Sequence, residues 1–129
     1  MSELVNLIRE ADGFCALGAV KASMLNKAEE ALGVAFASDY KEYALAFGAA
    51  TFDGRELTGV CESERLSVVS ATERARRFYP MFPQDAYVIE ELLFDHILII
   101  QNAEGLVFSY GPEDNAKVIA NSLQKYLDL

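Results

Sequence analysis

The residues able to do acid, base, nucleophilic or metal chemistry are few in this sequence. His96 is the only histidine, so a two-histidine metal site or a relay through two imidazoles cannot form within one chain. Cys15 and Cys61 are the only cysteines and lack CxxC spacing. That pattern suggests neither zinc ligation nor a disulfide framework, and two buried thiols are the expectation. A nucleophile pair of Cys61 and His96 is arithmetically possible, but no catalytic-cysteine signature surrounds either residue. Adjacent carboxylates occur at Glu29-Glu30, Glu90-Glu91 and Glu113-Asp114. Neighbours in sequence project in different directions from a helix or strand, so these pairs are expected to be solubilising charges. The glycines are scattered and form no GxGxxG or GxxxxGK(S/T) phosphate loop. The sequence therefore predicts a non-enzyme with no catalytic, cofactor-binding or metal-binding residues. His96, beside Asp95 at the entry to an apolar strand, is expected to be structural or an interface contact.

The elements that would position these groups are punctuated by capping and turn residues. Leu4, Leu7, Ile8 and Ala11 recur at helical spacing and stop at Asp12-Gly13, predicting a first helix. Ser23 is the expected N-cap of a second, carrying Met24, Leu25, Ala28 and Leu32 and closed by Gly33. Ser38 is the expected cap of a third, carrying Tyr40, Tyr43, Ala44 and Phe47 and closed by Gly48. Beyond Gly48 the pattern changes to short extended pieces, with Asp53-Gly54 a tight-turn signal. Ser70-Ala71-Thr72-Glu73 has the capping-box form and predicts a helix over 71–79, with Arg74, Arg76 and Arg77 on a solvated face of its later turns.

Tyr87 to Leu93, Ile97 to Gln101 and Leu106 to Tyr110 are rich in β-branched and aromatic residues. Asn102-Ala103-Glu104-Gly105 supplies a hairpin loop between the last two. The run Ile97 to Ile100 is apolar at every position, which predicts a central strand covered at least in part on both faces. Val118, Ile119, Ser122, Leu123, Tyr126 and Leu127 form an amphipathic pattern at the C-terminal end. The fold class is α+β: an antiparallel or mixed sheet with N-terminal helices, one mid-chain helix and a C-terminal helix packed against it. No linker or repeat divides the 129 residues, so one domain over 1–129 is expected.

Eleven Lys and Arg against twenty Asp and Glu give a net charge of −9. That charge disfavours direct binding to nucleic acid and to anionic membranes. The acidity is uneven. Residues 85–114 hold Asp85, Glu90, Glu91, Asp95, Glu104, Glu113 and Asp114, seven acids with no Lys or Arg. A surface built from them would attract a basic protein, raising association rate and disfavouring wrong partners. Tyr87 and Tyr110 are candidate anchors, because interface hot spots favour aromatics in desolvated pockets; both could equally be core. The N-terminus has no basic region ahead of an apolar stretch, and no apolar run approaches the roughly 20 residues of a membrane span. A soluble, cytoplasmic protein is the expectation.

The stretch from Glu29 through Leu32-Gly33-Val34-Ala35-Phe36-Ala37-Ser38 to Asp39-Tyr40-Lys41-Glu42-Tyr43, followed by Phe47-Gly48, resembles the signature of the SUKH superfamily, the Smi/Knr-type domains. Ala120 to Leu127 is similar to the closing segment of that family, and the resemblance spans residues 24–128. Ala37 stands where the family usually has proline, and Leu123 where it often has phenylalanine. The resemblance implies a short strand over 117–120, with Asn121 capping the closing helix. It also implies a function in protein binding: an immunity-type domain that neutralises a cognate toxin, such as a basic nuclease or deaminase domain, by stoichiometric occlusion. The alternative is a regulatory or adaptor domain without a toxin. The oligomeric state is not legible in the residues.

Overall fold

The computed structural model describes residues 3–92, 96–111 and 115–128. The order of elements is α1 (Glu3–Glu10), β1 (Cys15–Ala16), α2 (Ala22–Leu32), α3 (Ser38–Phe47), β2 (Ala50–Phe52), β3 (Arg55–Leu57), α4 (Val68–Phe78), β4 (Ala86–Leu92), β5 (Ile97–Asn102), β6 (Val107–Gly111), β7 (Asn115–Ala120) and α5 (Leu123–Leu127). β1, β2 and β3 form one antiparallel sheet and β4 to β7 a second, each in chain order. This is the expected α+β class. Just past β3, Thr58 N donates to Ile89 O at 3.0 Å and joins the two sheets.

The apolar run in β5 is explained by two cores on opposite faces of the larger sheet. Tyr87, Ile89, Ile99 and Val107 pack with α1, α2, α3 and α5. Ala86, Val88, Ile100 and Tyr110 pack on the other face with Ala71 and Ala75 of α4 and with Phe82. Successive strand residues point to opposite faces, so a strand covered on both has no position left for water.

Local chemistry accounts for the boundaries, including those the sequence misplaced. Asp53 and Gly54 have φ of 50° and 73°, the paired positive values that a two-residue hairpin between β2 and β3 requires. The Asn102 side chain accepts from Glu104 N and Leu106 N at 3.1 and 3.2 Å and shapes the β5–β6 loop. α4 begins one turn earlier than its capping box implies, because Ser67 is the cap and its hydroxyl accepts from Ser70 N at 3.2 Å. Lys21 precedes α2 and Ala37 precedes α3, neither with a side-chain cap, so Ser23 and Ser38 lie inside their helices. The strand expected over 117–120 runs from Asn115, and Ser122 rather than Asn121 caps α5.

Two glycines are fixed by crowding. A Cβ on Gly59 would lie 1.7 Å from Gly48 O, and one on Gly48 would lie 2.5 Å from Gly18 O. Val60 N donates to that same Gly48 oxygen at 3.0 Å, so three backbone segments meet where no side chain fits.

Candidate functional site

Asp39, Tyr40 and Tyr43 of the Asp-Tyr-Lys-Glu-aromatic stretch hold the fold together, whereas Glu42 is exposed and Lys41 partly so. Asp39 opens α3 and uses both carboxylate oxygens: Oδ1 accepts from Gln101 Nε2 at 3.1 Å and Oδ2 from Leu123 N at 2.8 Å. Gln101 is fully buried in β5 and also donates to Gly105 O at 3.2 Å. Its Oε1 accepts from the Tyr87 hydroxyl at 2.7 Å, and that hydroxyl accepts from Ala37 N at 2.9 Å. One network thus fixes the start of α3, strands β4 and β5, the β5–β6 loop and the start of α5.

Tyr40 and Thr58 share a 2.9 Å hydrogen bond, and Thr58 donates its only proton to Val88 O at 2.8 Å. Tyr40 must then be the donor. Tyr43 accepts from Ala50 N at 2.9 Å and donates to Leu57 O at 3.2 Å. Burial pushes the phenols of Tyr40, Tyr43 and Tyr87 well above their ordinary value, because a buried phenolate loses its hydration. Outside this stretch, Glu29 accepts from Phe36 N at 2.8 Å and lies 3.7 Å from Lys41 Nζ.

The acids of 85–114 do not gather on one face. Asp85 and Glu104 are exposed at the end of the larger sheet where Ala86 pairs with Asn102. Glu91 is half-buried near the opposite end, where Leu92 pairs with Ile97, and is ion-paired with Arg74 at 3.1 Å. The intervening strand places the two groups on the order of 20 Å apart. Glu90 is only 5% exposed and accepts from the Tyr126 hydroxyl.

A β-bulge explains that burial. Val88 faces Ile100 but Glu90 faces Ile99, so Ile89 is the extra residue. The side-chain alternation shifts by one, turning Glu90 toward α5 and Glu91 toward α4. Tyr87 and Tyr110 are 0% and 1% exposed. They are core residues whose rings complete the two apolar clusters, so neither offers a partner a surface anchor. Asp95, Glu113 and Asp114 lie outside the described residues.

Other candidates also change place. Cys15 is exposed and Cys61 half-buried, so neither is the buried thiol expected. Burial raises the Cys61 thiol above its ordinary range, which disfavours the nucleophilic thiolate. Cys61 lines a cleft with Lys27, Gly59 and Ser67, whereas His96 lines a different groove with Arg74 and Phe78. Among the described residues no group of three or more His, Cys, Asp or Glu side chains could hold a metal ion. No helix of the described residues is long and apolar enough to cross a membrane.

Phe78, the last residue of α4, and Met81, three residues beyond it, are 82% and 73% exposed. Phe78 lines a groove of about 220 Å³ with Arg74, Ala75, Tyr79, Leu92, Ile97 and Leu98 among others. Phe78 carries a legible signal. Ala71 and Ala75 mark the buried stripe of α4, and Phe78 continues it by three residues yet is left exposed.

The fold and its internal polar network define an α+β domain whose signature side chains are structural. The family model SUKH_5, described as SMI1-KNR4 cell-wall, matches residues 1–128, and the chain belongs to that family. The family is one of immunity and protein-interaction domains. No curated protein matches the chain.

Proposed function

We infer that the chain is an immunity-type domain that works in the cytoplasm and neutralises a cognate toxin domain by stoichiometric occlusion. Membership of the SUKH family across residues 1–128 carries this reading. Its net charge of −9 favours a basic partner such as a nuclease or deaminase domain. The exposed carboxylates Asp85 and Glu104 are proposed to meet that partner at one end of the larger sheet. Glu91 is proposed to do so at the other, with Asp95, Glu113 and Asp114 contributing to the same field. Exposed rim charges act mainly on association rate, with a Debye length of about 8 Å at physiological ionic strength.

The test is co-expression with candidate toxin domains from neighbouring open reading frames, followed by purification and stopped-flow binding. A one-to-one complex that silences the toxin is expected. The double variant Asp85→Lys with Glu104→Lys should slow association roughly tenfold at low salt and less at high salt. No complex, or a complex that leaves the toxin active, overturns the immunity reading. Unchanged association at low salt overturns the electrostatic part alone.

A further inference from the structure

The most exposed large apolar side chains among the described residues are Phe78 at 82% and Met81 at 73%. Nothing in the packing requires an aromatic ring at position 78, and water around an exposed ring is unfavourable in proportion to its apolar area. Phe78 lines the groove of about 220 Å³ together with Ala75, Leu92, Ile97 and Leu98, and with His96 and the Arg74–Glu91 ion pair. Aromatic residues, methionine and arginine around an apolar depression are the composition that distinguishes interface centres from ordinary surface.

The groove's own lining is balanced, with Arg74 paired to Glu91, and the basic excess lies beside it at the end of α4. Residues 74–84, between Glu73 and Asp85, contain Arg74, Arg76 and Arg77 and no Asp or Glu. Arg74 is neutralised by Glu91, and Arg76 donates to Gln84 O at 3.4 Å. Arg77 is exposed on the last turn of α4 and has no ion pair among the described residues.

We propose that this groove is a second docking surface, taking a protein segment that presents one apolar anchor flanked by Asp or Glu. The anchor seats in the groove against Phe78, and a flanking carboxylate meets Arg77. A segment fits better than a bilayer, because the surface is concave and a net charge of −9 opposes approach to anionic lipid. The inference does not depend on a toxin partner, since Phe78 and Arg77, on which it rests, are not among the carboxylates proposed to meet one, although Glu91 borders both surfaces.

The probe is a displayed library of random short peptides selected against the full chain. The best binder is then titrated against wild type, Phe78→Ser, Arg77→Glu and the distant surface control Ile119→Ser. Circular dichroism confirms that each variant is folded. Enriched sequences should place an aromatic or aliphatic residue beside Asp or Glu. Phe78→Ser should weaken binding about tenfold or more and Arg77→Glu several-fold, with Ile119→Ser unchanged.

Enrichment of Lys/Arg-rich peptides, no enrichment, or affinity indifferent to Phe78→Ser and Arg77→Glu overturns the proposal. Two further measurements would assign the face elsewhere and equally overturn it. One is self-association in sedimentation that Phe78→Ser abolishes, which would make the occupant a second copy. The other is binding to phosphatidylserine vesicles that Phe78→Ser abolishes, which would make it a membrane.

Discussion

Replacing Tyr87 by phenylalanine removes one oxygen from the centre of the buried network and little else. The ring is retained, with its edge-to-face packing on Phe36 at a centroid distance of 4.8 Å. What disappears is a hydroxyl that accepts from Ala37 N at 2.9 Å and donates to Gln101 Oε1 at 2.7 Å. Both partners are buried, and neither finds water in compensation. An unsatisfied buried polar group costs about 1–3 kcal/mol, so Tyr87→Phe should destabilise by about 2–4 kcal/mol. At about 3–5 °C per kcal/mol for a domain of this size, Tm should fall by roughly 6–20 °C.

Urea unfolding of wild type, Tyr87→Phe, Gln101→Leu and the double variant closes a thermodynamic cycle. The coupling between the two positions should reach at least about 1 kcal/mol, because once the glutamine amide is gone the tyrosine hydroxyl has lost one of its two partners. A Tyr87→Phe penalty below about 0.5 kcal/mol, or additive single and double variants, would refute the network as the element that locks α3 to the sheet.

Two further outcomes follow from the same interior. Gly59→Ala would drive a methyl into the Gly48 carbonyl and should cost more than about 3 kcal/mol, whereas Gly111→Ala, with nothing within 4 Å and no positive φ, should be neutral or slightly stabilising. Chemical denaturation of the two variants checks this, and equal midpoints would contradict the crowding. Burial raises the phenol pKa values of Tyr40, Tyr43 and Tyr87 in the folded state, so the native state holds protons that the unfolded state releases. Their stabilisation is intact below about pH 10 and declines as pH rises above it, by up to about 1.4 kcal/mol per pH unit for each tyrosine. Phenolate absorbance and far-UV circular dichroism should then change together in alkali; these phenols ionising near pH 10 in an intact fold would contradict their burial.

The α+β class, the helix stops at Gly33 and Gly48, the Asp53-Gly54 hairpin and the two-sided burial of β5 were legible because each is written in local chemistry. The start of α4 was misplaced because both Ser67 and Ser70 are competent caps, and packing of Val68 against the core decides between them. The inward turn of Glu90 was illegible for a different reason. Strand alternation had to be carried across Ile89, and a bulge is a property of the pairing between β4 and β5 that neither strand carries alone. Tyr87 and Tyr110 illustrate the same limit, since a tyrosine in a strand looks identical whether its hydroxyl meets a partner protein or a buried glutamine. The signature around Asp39 identified the family without locating a binding surface, because Asp39, Tyr40 and Tyr43 are consumed in holding the fold.

The bond from Leu123 N to Asp39 Oδ2 spans 84 residues. Closing a loop of that length costs on the order of 4 kcal/mol in chain entropy, and the closure must precede any return from it. On the ribosome, α3 and its carboxylate are made long before their last partner. Until residue 123 has been synthesised and released, the nascent domain holds a half-satisfied, part-buried acid at the edge of what will become its interior. The native state is therefore reached only after nearly the whole domain has been made, and the partly made chain depends on whatever shields its apolar helices in the interval.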